Sequence, residues 1–287
     1  GPPAGAGAPT LPPPYTPAVV TMRSNWDDLP PATRTAVAAR TGPIYTATPV
    51  GAGRNSEIAV TLDTPTGRIF VKGLRSHHPR VWTQRREATI NPYVAPLAPR
   101  LLWTIDDGEW NLLGFEHLDG RPADYSPHAN DLPLVAEAII TLAGVRAPAD
   151  VELKQIEQRF ADYVDTPEDA ALLRGDTVLH TDWTPDNVLI VDNTARVVDW
   201  AWPTRGAAWI DAACWVVWLI SAGHTPAEAE QWAAKTPAWS TAPPRGLDVF
   251  ARAQQRLWAG IAADAPDIAW KQDLAAAAAH WSTHRHH

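Results

Sequence analysis

The sequence predicts an α+β chain in which strands gather early and helices fill the remainder, and three observations predict it. Between 45 and 116, short runs rich in Val, Ile, Phe and Trp are divided by turns bearing Gly, Pro or Asp, as hairpins are. Beyond about 130, apolar residues recur at spacings of three and four, the period of an amphipathic helix. Within that helical part lies 176–202, where a short apolar run, a polar loop and two further apolar runs alternate.

The size and charge of the chain narrow its chemistry. Its 287 residues can bury a large core in one or two domains. A single cysteine, Cys214, excludes an internal disulfide framework and a Cys-rich zinc site, and fits a cytoplasmic location. A net charge of −8 argues against nucleic acid or an anionic membrane as partner, because both require a basic surface. The apolar run 212–220 is far shorter than the roughly 18–20 residues that cross a bilayer, and reads as a buried helix.

Taken in order, 1–24 is dominated by Gly, Pro, Ala and Thr, cannot build a core, and is expected to be a dispensable leader without signal-peptide character. A helix over 30–40 opens on proline and stops at Thr41-Gly42-Pro43. Strands over 45–50 and 57–62 flank Gly51-Ala-Gly53-Arg-Asn-Ser56. A glycine pair lets backbone N–H groups approach phosphate closely, although read alone it is also an ordinary hairpin turn. After the turn at Thr64-Pro-Thr-Gly67, a strand over 68–72 ends on Lys72, and a helix over 79–91 contains one acid, Glu87. Read alone, Lys72 is a solvated strand end and Glu87 a surface acid between arginines. Strands over 101–105 and 110–115 meet at Asp106-Asp-Gly-Glu109 and run into Glu116-His-Leu118-Asp-Gly-Arg-Pro. Helices follow over 132–142, 151–164 and from Thr166 towards Gly175. In the second of these, Leu153, Ile156, Phe160 and Tyr163 form one apolar stripe. Past Asp211 come helices to about 222, over 225–235, over 245–263 and over 266–281. The third-last opens on Thr225-Pro-Ala-Glu228, which supplies a capping hydroxyl, a proline at the first position and a glutamate at the third.

The stretch 176–202 carries the chemistry. It reads Val178-Leu-His180-Thr-Asp182-Trp-Thr-Pro-Asp-Asn187-Val-Leu-Ile, then Val197-Val-Asp199-Trp, with Gly206-Ala-Ala-Trp-Ile-Asp211 downstream. Two carboxylates and an amide at the edge of one small sheet suit phosphoryl transfer, which needs one acid to orient a hydroxyl and oxygen donors to hold a metal on phosphates. The spacing resembles the catalytic and metal-binding loops of kinases, in the variant of the aminoglycoside phosphotransferase and choline kinase-like family. Thr181 stands where many members carry glycine, at a position that does not touch the chemistry.

The resemblance implies a bilobal protein kinase-like fold. A small antiparallel sheet with one key helix (25–118) would form the nucleotide-binding lobe, and a larger, mainly helical lobe (119–287) would carry catalysis and the acceptor. It implies ATP and Mg²⁺ as cofactors. It further implies that Asp182 takes the acceptor proton, that Asn187 and Asp199 ligate the metal, and that Lys72, fixed by Glu87, neutralises phosphate charge. Gly51, Gly53 and Ser56 would cradle phosphates, and the backbone of Glu116 to Leu118 would meet adenine. His180 would support the loop, and Asp211 would accept hydrogen bonds from its backbone.

The acceptor expected first is a hydroxyl on an antibiotic or other natural product. An amino-sugar, amino-alcohol or nucleoside comes second, and a Ser or Thr of a small precursor peptide third. A nucleotide-binding pseudokinase scaffold is the non-enzyme alternative. After Asp211 six acids face six bases, a balance that gives little support for a polycationic acceptor. Of the fifteen tryptophans, Trp215 and Trp218 read as core, while Trp183, Trp200 and Trp202 beside the acids are expected to line a cleft.

Overall fold

The computed structural model describes residues 23–51 and 55–287. Helix α1 (Pro31–Thr41) begins on proline and stops at Gly42, whose φ of 76° is a left-handed conformation that a side chain would resist. Strands β1 (Thr46–Pro49), β2 (Ile58–Thr64) and β3 (Gly67–Arg75) form a meander, followed by helix α2 (Trp82–Ile90) and the hairpin β4 (Leu101–Asp106) and β5 (Trp110–Glu116). Together the strands make one antiparallel five-stranded sheet in the order β1-β2-β3-β5-β4. Lys72 stands in its middle strand, with Ala59 on one side and Leu113 on the other. Val37 of α1 packs with Ile58, Val60, Leu62, Val71, Trp103 and Leu112 of the sheet into one apolar core.

The rest of the chain is mainly helical. After β6 (Arg121–Pro122) come α3 (Leu132–Ala143), β7 (Lys154–Gln155), α4 (Ile156–Arg159), α5 (Pro167–Ala171) and β8 (Thr177–Leu179). The hairpin β9 (Val188–Val191) and β10 (Thr194–Val197) follows, then β11 (Thr204–Gly206), α6 (Ile210–Ser221), α7 (Pro226–Ala233), α8 (Pro244–Asp264) and α9 (Ala269–Arg285). Two three-stranded sheets, β10-β9-β6 and β7-β11-β8, lie beside a second core built on α3, α6, α8 and α9. Ile90 and Val94, at and beyond the end of α2, belong to this second core, so the α2 segment bridges the two halves. Among the described residues, no helix is long and apolar enough to cross a membrane.

The helix expected over 151–164 is not formed as such. Only Ile156–Arg159 is α-helical, because Lys154 and Gln155 pair in parallel with Thr204 and Arg205 of β11. Leu153, Ile156 and Phe160 are buried all the same, so the apolar stripe described burial correctly and backbone geometry wrongly. The helix starting at Thr166 is five residues long and is capped by the Thr166 hydroxyl, which accepts from the Asp169 N–H. At Thr225 the reciprocal capping box is complete: Glu228 N–H to Thr225 Oγ1 is 3.1 Å and Thr225 N–H to Glu228 Oε2 is 3.0 Å.

Candidate active site

The loop between β8 and β9 carries Asp182. Asp211, at the start of α6, fixes that loop by accepting the backbone N–H groups of His180 and Thr181 at 2.9 and 2.8 Å. The His180 ring spans the loop: Nδ1 accepts from the Asp182 N–H at 3.1 Å, and Nε2 lies 2.9 Å from the Val198 carbonyl. This pair of bonds requires the neutral Nε2–H tautomer, since only a protonated Nε2 can donate to a carbonyl. Tyr125 braces the far side, its hydroxyl donating to the Trp183 carbonyl at 2.7 Å. Asp182 itself is half-buried.

Asn187 and Asp199 are brought together by the β9–β10 hairpin. Val188 pairs with Val197, and the Val198 N–H donates to the Asn187 carbonyl at 2.9 Å, so both residues leave the same end of the hairpin. The Asn187 Nδ2 donates to the Asp182 carbonyl at 3.2 Å, which turns its Oδ1 outward as an acceptor. Asp199 sits at φ 65°, a left-handed backbone that a non-glycine residue holds only when its surroundings demand it.

Lys72 links this hairpin to the five-stranded sheet. Its Nζ is 2.5 Å from Glu87 Oε1 and 3.5 Å from Asp199 Oδ1. The second Glu87 oxygen accepts the Trp200 N–H at 3.0 Å, so one carboxylate holds the lysine with one oxygen and the backbone after Asp199 with the other. Gln84, one turn before Glu87, donates to the Asn111 carbonyl at 3.1 Å and ties α2 to β5. Burial opposes the charge on Lys72, but Glu87 and Asp199 outweigh it and hold the ammonium above its ordinary value. Burial likewise pushes Asp199 up, and Lys72 more than reverses this, keeping it below the usual carboxylate range. Glu87 goes the other way, raised by burial against the pull of Lys72.

Among the remaining sequence-predicted residues, Gly51 is exposed and a Cβ there would meet nothing, Ser56 is buried, and Gly53 lies outside the described residues. The Glu116 N–H is already engaged by the Arg100 carbonyl at 2.9 Å, and its carboxylate accepts from the Arg100 N–H and from Arg196 Nη2 at 2.9 and 3.1 Å. Its side chain therefore clamps the segment between the two halves. Leu118 is half-buried in the link that follows. There Gly120 passes so close to β9 that a Cβ would come within 2.7 Å of the Ile190 carbonyl oxygen. Trp183 and Trp200 do not line a cleft: they are 0% and 2% exposed and pack around the His180 ring, leaving Trp202 half-buried.

Two supports of the loop left little trace in the sequence. Arg159 is 4% exposed and donates through Nη1 to the hydroxyls of Thr181 and Thr204, both at 2.8 Å. Burial pushes its guanidinium down to about 10, against the opposing pull of Cys214, Asp182 and Asp211. Thr181, expected to stand clear of the chemistry, is thus tied to a buried cation next to Asp182. It also holds φ 70°, a conformation costly for a β-branched residue, which explains why glycine suits the position. Tyr125 sits in an irregular segment with no periodicity to announce it.

The donor set at the hairpin end fits a hard divalent cation. Asn187 offers an amide oxygen and Asp199 a carboxylate, the kind of oxygen pair with which Mg²⁺ is held while phosphates and water complete its shell. Among the described residues no three His, Cys, Asp or Glu side chains gather into a metal cluster.

No protein-family model and no curated protein matches the chain. Solved structures do resemble it. Choline kinase LicA from Streptococcus pneumoniae superposes with a TM-score of 0.62 at 9% identity, over 88% of this chain and 98% of that one. Aminoglycoside phosphotransferase APH(4)-Ia, as a thermostable variant in ternary complex with ADP and hygromycin B, gives 0.56 at 13% identity, over 87% and 98%. By fold, the chain stands with the choline kinase-like and aminoglycoside phosphotransferase structures, in two lobes that meet at Lys72, Glu87 and Asp199.

Proposed function

We propose that this protein is a Mg²⁺-dependent phosphotransferase that moves the γ-phosphate of ATP to a hydroxyl of a small molecule, an antibiotic or other natural product being the acceptor class. The observation that carries the reading is the meeting of Lys72, bound to Glu87 at 2.5 Å, with Asp199 beside a loop that presents Asp182 and Asn187. Each group has one task in phosphoryl transfer and few other reasons to share a cleft. The pseudokinase alternative gains no support, because each of these groups is present and held by named partners. Resembling structures were solved with AMP in LicA and with ADP in APH(4)-Ia, which supports a nucleotide for this cleft.

In the reaction, Asp182 accepts a hydrogen bond from the acceptor hydroxyl and takes its proton. The new bond forms between that oxygen and the γ-phosphorus as the bond to the β-phosphate bridging oxygen breaks, and ADP leaves with the electron pair. Lys72 neutralises charge on the phosphates, held in place by Glu87. Asn187 and Asp199 would hold the metal, which would supply charge neutralisation at the phosphate oxygens. Little covalent chemistry falls to the protein, so positioning and electrostatics supply most of the rate.

The test is acceptor-dependent ADP release from Mg-ATP across antibiotics, amino-sugars, nucleosides and small peptides, with Asp182→Ala alongside. Turnover should fall by about a thousandfold or more in the variant, while Mg-nucleotide affinity stays within about twofold. Undiminished turnover would remove Asp182 from the mechanism.

A further inference from the structure

Three cations converge on one aromatic pair beside the catalytic loop. Trp82 of α2 and Trp202, three residues past Asp199, meet edge to face with ring centroids 4.8 Å apart. The Lys154 ammonium lies 4.6 Å from the Trp82 centroid and 5.8 Å from that of Trp202. The Arg86 guanidinium lies 5.4 Å from Trp82, and that of Arg159 lies 5.9 Å from Trp202. Elements from both lobes thus bring positive charge to one place; apart from the bonds of Arg159 Nη1 to Thr181 and Thr204, the phosphoryl-transfer machinery does not use it.

Compensation is thin. Arg86 Nη2 meets Glu152 at 2.9 Å, but that carboxylate is 86% exposed and screened by water. Arg86 Nη1 and the Nε and Nη2 of Arg159 are buried and have no hydrogen-bond partner. A buried guanidinium N–H without an acceptor is costly, and the missing acceptor has a definite chemistry: planar or tetrahedral oxygens that match the guanidinium fork. Lys154 shows the same pressure, its ammonium held below the ordinary value by burial and then by Arg86 and Arg159, with only Glu152 opposing.

We propose that Arg86, Lys154 and Arg159 form an oxyanion site that takes a carboxylate or phosphate carried by the acceptor. This assignment of acceptor class rests on the phosphotransferase reading above. Two features favour the acceptor as the source of the anion. Arg159 bonds Thr181, the neighbour of Asp182, and Trp202 follows Asp199 closely, so the site borders both ends of the reaction. Three acids of the helical lobe that could meet a polycation are engaged elsewhere: Glu228 caps α7, while Glu230 and Asp248 both pair with Arg285.

The experiment titrates inorganic phosphate calorimetrically against protein whose nucleotide site is filled with Mg-AMP-PNP. Wild type should bind phosphate, Lys154→Met about tenfold more weakly, and Lys154→Arg as wild type, with AMP-PNP affinity equal in all three. Arg86→Gln provides a second weakening variant should Lys154→Met not fold. Equal phosphate affinity in wild type and in the charge-removing variants overturns the site. Paired acceptors, each hydroxyl compound offered as free carboxylate and as amide, then test the source. The carboxylate should be preferred, with KM raised about tenfold by Lys154→Met and kcat retained. Equal use of acid and amide overturns the acceptor assignment and leaves free phosphate as the ligand. If AMP-PNP does not bind, the phosphotransferase reading falls, and the same titration on nucleotide-free protein still decides the oxyanion site.

Discussion

Lys72 is where the charges of the two lobes meet, and its environment makes a prediction with a sign. Burial opposes its proton, yet Glu87 and Asp199 raise its value above the ordinary one. The stability it contributes is therefore complete below its unfolded-state value and is lost only as pH rises through the higher folded value, in the alkaline range. Lys72→Met reverses the situation for Glu87, already raised by burial and now left beside Asp199 without a cation. At acid pH Glu87 is protonated folded and unfolded, and the variant loses little through it. As pH rises past the unfolded value of about 4.3, the unfolded chain releases this proton while the folded one keeps it, so the penalty grows. The stability gap to wild type should widen as pH rises above that unfolded value and level off once the raised folded value of Glu87 is passed, towards the ~3–5 kcal/mol typical of a broken buried ion pair. Denaturant titrations at several pH values measure it, and Glu87→Gln in the Lys72→Met background should close the widening. A gap constant with pH would mean that Glu87 is not held as a buried carboxylate.

At the scale of elements, the loop that carries Asp182 is held against its own backbone preference. Thr181 at φ 70° has a second Cβ substituent where the left-handed conformation tolerates none easily, but its hydroxyl accepts from buried Arg159 at 2.8 Å. Thr181→Ser keeps the acceptor and removes the methyl, and should stabilise by about 0.5–1 kcal/mol. Thr181→Val keeps the shape and removes the acceptor, and should destabilise by about 1–3 kcal/mol. Urea denaturation of both separates backbone strain from the hydrogen bond; the same sign in both variants would contradict the argument. The same loop shows what was legible beforehand. His180, Asp182, Asn187 and Asp199 stand out because the short apolar runs around them become β8, β9 and β10 and leave these polar residues in the connections, although β8 lies in a different sheet from β9 and β10 and not in the one small sheet expected. Arg159 does not stand out, because one arginine on an apolar stripe reads as its solvent side. The stripe itself predicts a long helix that does not form, since Lys154 and Gln155 answer to a partner strand about fifty residues away that local periodicity cannot report. Trp183 and Trp200 were misplaced for a related reason: nearness in sequence to acids says nothing about which way an indole turns once the His180 ring needs packing.

At the scale of the molecule, the five-stranded sheet and the helical half each have an apolar core; Ile90, Val94, Leu97 and Ala98 of the segment from α2 to β4 pack into the second, and several further ties between the lobes are polar. Lys72–Asp199, Glu87 to the Trp200 N–H and Arg86–Glu152 cross the cleft, and all three involve α2 or its lysine partner. The fourth tie lies behind the cleft. Arg196 of β10 donates to the Leu97 and Ala98 carbonyls at 3.1 and 2.9 Å and to Glu116 Oε1 at 3.1 Å. One guanidinium thereby holds the connection after α2 and the end of β5 against the β9–β10 hairpin. Polar ties at the margin of a core can open locally, so their loss should appear as local opening before global unfolding. Arg196→Met, which keeps the apolar stem, should cost about 1–3 kcal/mol. It should speed hydrogen exchange at Arg100, Leu101 and Glu116, whose N–H groups belong to this joint, while leaving the centre of α6 protected. Under the phosphotransferase reading, Mg-AMP-PNP fills the cleft and pulls the lobes together from the front. It should then restore much of that protection in the variant and change the wild type less. Uniform acceleration through α6 as well would show that Arg196 supports the lower core itself, and the joint between the lobes would have to be sought in α2 alone.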